Sequence, residues 1–180
     1  MVKLWEYSKT KMNKYITVEF TEDIQKKSTD CFDCGNPALT AFLKSHDAFD
    51  DMFGKTYVMM SENKIIGYYN ISTGCIEDYS GIRTGGSIYI NCLAVDKNYQ
   101  KKKIKSTDYY SDILLADCLN RIENIRENAL GFAFVTLSST DEGYNLYERN
   151  GFSPLEEDMK IAKNSGEMSC IPMYLPIDYE

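Results

Sequence analysis

The residues best placed to do chemistry lie between Ile90 and Lys105, where INCLAVDKNYQ runs into Lys101, Lys102, Lys103 and Lys105. Ile88 to Val95 is apolar and reads as a strand that ends at Asp96 and Asn98, after which the chain turns past Tyr99 and Gln100 into the lysines. Beyond them Leu114, Leu115, Cys118, Leu119, Ile122 and Ile125 recur at helical spacing. A strand end, a cluster of ammonium groups and a helix start therefore fall at one point. The first N–H groups of a helix have no intrahelical partner, so this point is a ready anion site, and a pyrophosphate is its natural occupant.

A second group is Tyr144 to Phe152, which reads as a short helix closed by Gly151 in the left-handed region. Ser139 and Glu142 have capping-box spacing, and Tyr144 and Tyr147, three apart, share a face.

Taken with the strand at 88–95, this pattern resembles the GNAT N-acetyltransferase superfamily. Its sequences typically run strand, LAV, YQ, glycine-rich turn, helix, strand and then a helix ending in a YE-x-x-GF pattern, an order matched here over about residues 56–152. Phe32, Asp33, Cys34 and Gly35, followed by Leu39, Phe42 and Leu43, look like the FDCG element of GNAT proteins related to toxin-antitoxin acetyltransferases. Met173 to Ile177 looks like their final strand, which extends the resemblance to residues 31–177.

The resemblance implies a single mixed α/β domain over residues 1–180, with a central splayed, mostly antiparallel sheet flanked by helices. It implies acetyl-CoA as cosubstrate and no metal. Leu93, Ala94 and Val95 would pair with the pantetheine arm like an added strand, and their N–H groups would polarise the thioester carbonyl. Lys101, Lys102, Lys103, Lys105 and Ser106 would hold the pyrophosphate. Thr140 stands seven residues before Tyr147, where the family commonly has Asn as a cofactor contact. Tyr147 stands at the general acid's position; a phenol of pKa ~10 is protonated at neutral pH and can donate to the leaving thiolate.

One departure bears on the cofactor. The family's turn usually reads Q/R-x-x-G-x-G/A, whereas Gln100 to Lys105 reads QKKKIK, with Lys103 and Lys105 where glycines are expected. Glycine lets the backbone approach phosphate closely and adopt positive φ; lysine supplies charge instead. Leu114 and Leu115 also fall later than the family norm, which points to a longer or differently shaped loop. A GNAT fold without activity, serving as a binding protein, is the alternative that this turn leaves open.

Direct attack of a neutral amine on the thioester is the reaction implied, and proximity alone contributes up to ~7 to 11 kcal/mol in favourable systems. His46, Glu77, Asp78 and Asp96 are candidates for a general base, and the sequence singles out none. The branch resembled acetylates aminoacyl-tRNA and pairs with antitoxins, so tRNA and an antitoxin-like partner both come into view. A net charge of -7 and a pI of 4.8 oppose a polyanionic substrate, although Lys3, Lys9, Lys11 and Lys14 cluster near the N-terminus. That balance favours a small-molecule or peptide primary amine as acceptor over tRNA.

A chain of 180 residues with 43% hydrophobic content suits one domain with its own core. No stretch reaches the ~18 apolar residues of a membrane span, and MVKLWEYSKTKMNKY has no apolar signal core, which points to the cytoplasm without a membrane partner. The cysteines at 31, 34, 75, 92, 118 and 170 include one C-x-x-C, Cys31 and Cys34, but no second pair has zinc spacing; Cys92 and Cys118 read as small buried hydrophobes.

Elsewhere the pattern predicts a strand at Tyr15–Phe20, a helix from Pro37 to about Ala48 after an Asn36 cap, and a hairpin of Thr56–Met60 with Ile65–Thr73. It predicts a helix over 107–128, a buried strand at Phe132–Leu137 joined by it in parallel to 88–95, and loops at Gly74–Gly86 and Glu156–Glu167. There is no internal repeat.

Overall fold

The computed structural model describes residues 16–104, 108–162 and 170–177, so Tyr15, the four N-terminal lysines, Lys105 and Ser106 lie outside the described residues. Two compact units emerge: Met1–Ile71 with Cys92–Arg121, and Ser72–Asn91 with Ile122–Glu180.

In the first unit, polar caps start the helices. Thr21 accepts a hydrogen bond from Ile24 N at 3.4 Å and opens α1 (Glu22–Ser28), an element the hydrophobic pattern did not reveal. Asn36 Oδ1 accepts from Ala38 N and Leu39 N at 3.0 and 3.2 Å, and Pro37 takes the first helical position of α2 (Pro37–Lys44). This helix stops short of Ala48 because Ser45 caps a separate 3-10 turn, His46–Ala48. β1 (Thr17–Glu19), β2 (Lys55–Ser61) and β3 (Lys64–Asp78) pair antiparallel in that order. Phe20, Phe32, Leu43, Val58, Tyr68 and Ala94 form the core. Burial pushes the Tyr68 hydroxyl far above the usual phenol value, so it stays a donor, here to Leu39 O at 2.7 Å.

The buried Asp117 carboxylate fastens β1 to α3 (Tyr110–Asn128). It accepts from Ile16 N at 2.7 Å, Tyr69 OH at 2.9 Å and the Thr17 hydroxyl. Arg121 donates to the same Tyr69 oxygen at 2.7 Å and stacks 3.8 Å over the Tyr57 ring. A buried carboxylate is tolerable only when its lone pairs are filled in this way.

In the second unit, residues 74–86 are not the expected loop. β3 continues to Asp78 and β4 (Arg83–Val95) begins five residues later, joined by a tight turn. Asp78 Oδ1 accepts from Ser80 N at 2.8 Å and Ile82 N at 2.9 Å, and Gly81 supplies φ +81°. Apart from Gly81, the glycines that suggested a loop are strand residues: a Cβ on Gly74 would lie 3.0 Å from Ser87 Oγ. β9 (Met159–Ile161) pairs with the end of β3, so residues 156–167 are not all loop either. β7 (Phe134–Ser139), β8 (Ser153–Pro154) and β10 (Ile171–Pro176) complete the set, with β10 antiparallel to both β7 and β8.

Since β3 and β4 run through both units, the hydrogen-bonded order reads β1-β2-β3-β4-β7-β10-β8, with β9 beside β3. The registers are antiparallel except that of β4 with β7, the strands joined through α3. This is the mixed, mostly antiparallel α/β sheet with flanking helices that the sequence led us to expect. The parallel ladder runs from Ser87–Phe134 to Ile90–Leu137 and stops there, although β4 continues to Val95 and β7 to Ser139. Among the described residues no helix is long and apolar enough to cross a membrane.

Candidate functional site

Within the first unit, the last residues of β4 and the turn after them are held against the Phe32–Gly35 segment. Leu93 is half-buried, Ala94 and Val95 are buried, and Asp96 N donates to Ile66 O at 2.9 Å. Asp96 is 4% exposed, and its carboxylate ties three donors together. Oδ1 accepts from Asn98 N at 2.9 Å and Asn98 Nδ2 at 3.0 Å, and Oδ2 accepts from Asp33 N at 3.1 Å. Lys97 N donates to Asp33 O at 2.8 Å, and its ammonium lies 2.6 Å from Asp33 Oδ2. Gln100 Nε2 donates to Cys34 O and to Val95 O, both at 2.8 Å. The Lys97 hydrogen bond, helped by Gly35 N–H, holds the Asp33 carboxyl below the usual carboxylate range, and Asp33 in turn raises Lys97.

The next residue, Lys101, has φ +55°. A non-glycine residue in the left-handed region costs on the order of 1 kcal/mol and persists where its surroundings enforce it. Among the described residues the turn takes positive φ at Lys101, not at Lys103, where a family glycine was expected. Lys103 is instead in an extended conformation in β5 (Lys103–Ile104), which pairs antiparallel with β6 (Asp108–Tyr109). The Lys103 ammonium sits 5.1 Å from the Tyr109 ring centroid.

This small hairpin is the longer loop that the late Leu114 and Leu115 implied. It also corrects the expected layout: the lysines do not feed directly into a helix start near Ser106. The helix begins at Tyr110, whose N–H is taken by Lys102 O at 3.3 Å, and Asp112 occupies its first turn. Lys101, Lys102 and Lys103 are all exposed.

Within the second unit, Thr140 caps α4 (Asp141–Arg149) by accepting from Gly143 N at 3.2 Å. The capping-box reading placed this role one residue too early: Ser139 Oγ donates instead to Thr140 O at 2.8 Å. Thr140 carries out helix capping whatever else it contacts. Tyr147 is 8% exposed, and its ring meets Phe152 edge-on at 5.7 Å. Gly151, at φ +93°, turns the chain so that Phe152 N returns to Tyr147 O at 3.1 Å.

Gly143, which the sequence reading passed over, lies one turn before Tyr147. A Cβ there would sit 3.2 Å from Ser139 Oγ and 3.4 Å from the Tyr147 ring. Its signal was a glycine inside a helix, a choice that costs about 1 kcal/mol against alanine and so asks for a reason.

The structure thus gathers Leu93, Ala94, Val95 and Lys101–Lys103 in the first unit and Thr140 and Tyr147 in the second. Among the base candidates, Glu77 pairs with Lys160 at 3.2 Å, Asp78 builds the hairpin turn, Asp96 is engaged as above, and His46 is exposed with its ring edge-on to Phe49. Chemically, the first unit offers exposed ammonium groups beside a strand end, which suits phosphates. The second offers a largely buried phenol, which suits proton donation.

No protein-family profile and no curated protein sequence matches the chain. Solved structures do. A structure described as a bacterial toxin superposes with a TM-score of 0.69 at 21% identity, over 92% of each chain. A tyrosine-to-phenylalanine variant of the toxin AtaT, bound to the C-terminus of the antitoxin AtaR and to acetyl-CoA, gives 0.66 at 19% identity, over 91% of this chain and 94% of that one. AtaT complexed with acetyl-methionyl-tRNAfMet gives 0.67 at 19% identity, over 91% and 95%. The chain has the GNAT fold, in the form shared by these toxins.

Proposed function

We propose that the protein is an N-acetyltransferase, one domain over residues 1–180, that moves the acetyl group of acetyl-CoA directly to a primary amine. The observation that carries this reading is β4, which outruns its parallel ladder with β7 at Ile90 and ends in Leu93, Ala94 and Val95 beside a lysine-bearing turn. An added strand would pair along the edge of β4 beyond that ladder, where Val95 O is already engaged by Gln100 Nε2, and the phosphates that follow a pantetheine arm need the positive charge. Tyr147 protonates the departing thiolate as the tetrahedral intermediate collapses, and Thr140 adds a cofactor contact. The likeness in fold to AtaT with acetyl-CoA bound supports the same cosubstrate.

For the acceptor, the distribution of charge matters more than its total. The first unit holds 15 Lys and Arg against 14 Asp and Glu, the second 5 against 13, so the acidity of the chain resides in the second unit. The lysine-bearing unit is near neutral and can approach a polyanion. With the fold likeness to AtaT complexed with acetyl-methionyl-tRNAfMet, this makes the amino group of an aminoacyl-tRNA the acceptor to test first, and an antitoxin the accompanying partner. A small-molecule or peptide amine is the second reading, favoured by the net charge of -7.

Incubation with labelled acetyl-CoA and either charged tRNA or a panel of polyamines and peptides separates them. Label on the tRNA alone is the expected result. Label on the small amines alone would reverse the order, and no transfer to any acceptor would contradict the enzyme.

A further inference from the structure

The Phe32–Gly35 segment, a sequence signature, is tied in the structure to the turn after β4. Phe32 is 1% exposed and packs edge-on against Tyr68, which anchors the segment in the core. From that anchor Asp33 and Cys34 reach the turn after β4 at four points: Asp33 N to Asp96 Oδ2, Lys97 N to Asp33 O, the Lys97 ammonium to Asp33 Oδ2, and Gln100 Nε2 to Cys34 O. The second hydrogen of the Gln100 amide goes to Val95 O at 2.8 Å, so one side chain spans the strand end and the segment. Immediately after this grip comes Lys101 at φ +55°.

These observations belong together physically. A turn without glycine does not favour positive φ by itself, because Cβ crowds the backbone there. The turn closes on itself through Lys102 N to Tyr99 O at 3.3 Å and Gln100 N to Asp96 O at 3.1 Å, and contacts from outside add to this hold. Gln100 and Asp96 fix the residues directly before Lys101 to a buried anchor, and they do so through side-chain hydrogen bonds to backbone groups of that anchor.

We propose that Phe32–Gly35 is a positioning clamp for the lysine-bearing turn, with Asp96 and Gln100 as the positioning residues that hold Lys101–Lys103 in register for the cofactor phosphates. This rests on acetyl-CoA being the cosubstrate. The clamp holds the turn at Lys101, a position with positive φ and no glycine.

The test is a double-mutant cycle with two independent readouts. Gln100→Ala removes both donors, and Gln100→Glu keeps the volume while turning the donors into acceptors facing two carbonyls. Two neutral hydrogen bonds correspond to roughly a tenfold effect, so acetyl-CoA affinity by calorimetry should fall about tenfold in the Ala variant and further in the Glu variant. KM for acetyl-CoA should rise more than kcat falls. In a Lys101→Gly background the turn no longer needs enforcing, and Gln100→Ala should then cost less than about threefold; the lost lysine charge cancels in the cycle.

The second readout needs no ligand: amide hydrogen exchange at Tyr99–Lys102 should accelerate in Gln100→Ala while exchange in β4 does not. Equal loss of affinity in both backgrounds, or exchange at 99–102 unchanged in both Gln100 variants, overturns the clamp. A parent protein that binds no acetyl-CoA overturns the cofactor reading instead, and the exchange data still decide the clamp.

Discussion

Two of the turns that place a residue in the left-handed region obtain it differently. After α4 it is Gly151 at φ +93°, followed by a hydrogen bond from Phe152 N to Tyr147 O; the turn is built from its own residues. After β4 it is Lys101 at φ +55°, and the turn's own hydrogen bonds are joined by contacts from Asp33 and Cys34, more than sixty positions away in sequence. The first turn is a local solution and the second a tertiary one. A local turn tolerates change elsewhere and fails when its glycine is replaced, whereas a tertiary turn fails when its distant supports are removed.

The largest effect is expected from Tyr147→Phe, in the region of the local turn. The ring keeps its packing against Phe152 and loses only the hydroxyl that donates the proton, so turnover should fall by roughly 10² to 10⁴ while acetyl-CoA affinity stays close to that of the parent. Steady-state kinetics with calorimetry checks this, and a fully active variant would reduce Tyr147 to a packing residue. Reversing the charges with Lys103→Glu and Lys105→Glu should next weaken acetyl-CoA binding by about tenfold or more at low salt. Unchanged affinity would move the phosphates away from the lysine turn.

Stability measurements sharpen the contrast. Gly151→Ala forces a side chain into positive φ and should lower stability by on the order of 1 kcal/mol in chemical denaturation. Lys101→Gly relieves strain but adds freedom to the unfolded chain, so it should change stability by less than about 1 kcal/mol. Similar losses in both would mean that the two turns are built alike.

A smaller effect is expected from acid. The Asp33 carboxyl is held below its ordinary value, so the Asp33–Lys97 contribution is complete above about pH 4 and is lost as the pH falls through the lowered value. Thermal melts of Asp33→Asn against the parent should differ at neutral pH and converge in acid.

The contrast also explains what could be read in advance. Gly151, the strands at 88–95 and 173–177 and the long helix were legible because local periodicity and a glycine specify them. The 3-10 turn at His46 and the hairpin at Asp78 were not, since single side chains, Ser45 and Asp78, divert the chain there against its composition. Gln100 and Asp96 were visible as residues, but their partners in the Phe32–Gly35 segment are set by tertiary folding, which spacing in sequence does not encode. Lys105 and Ser106 lie outside the described residues.

The central claim is that a clamped lysine turn, in place of a glycine cradle, holds acetyl-CoA. Calorimetric titration of the purified protein with acetyl-CoA at about 50 and 200 mM salt tests it most directly, because the screening length around exposed ammonium groups shrinks from about 14 to about 7 Å across that range. The account predicts saturable binding at low salt that weakens clearly at high salt; no binding at low salt, or an affinity indifferent to salt, would contradict it.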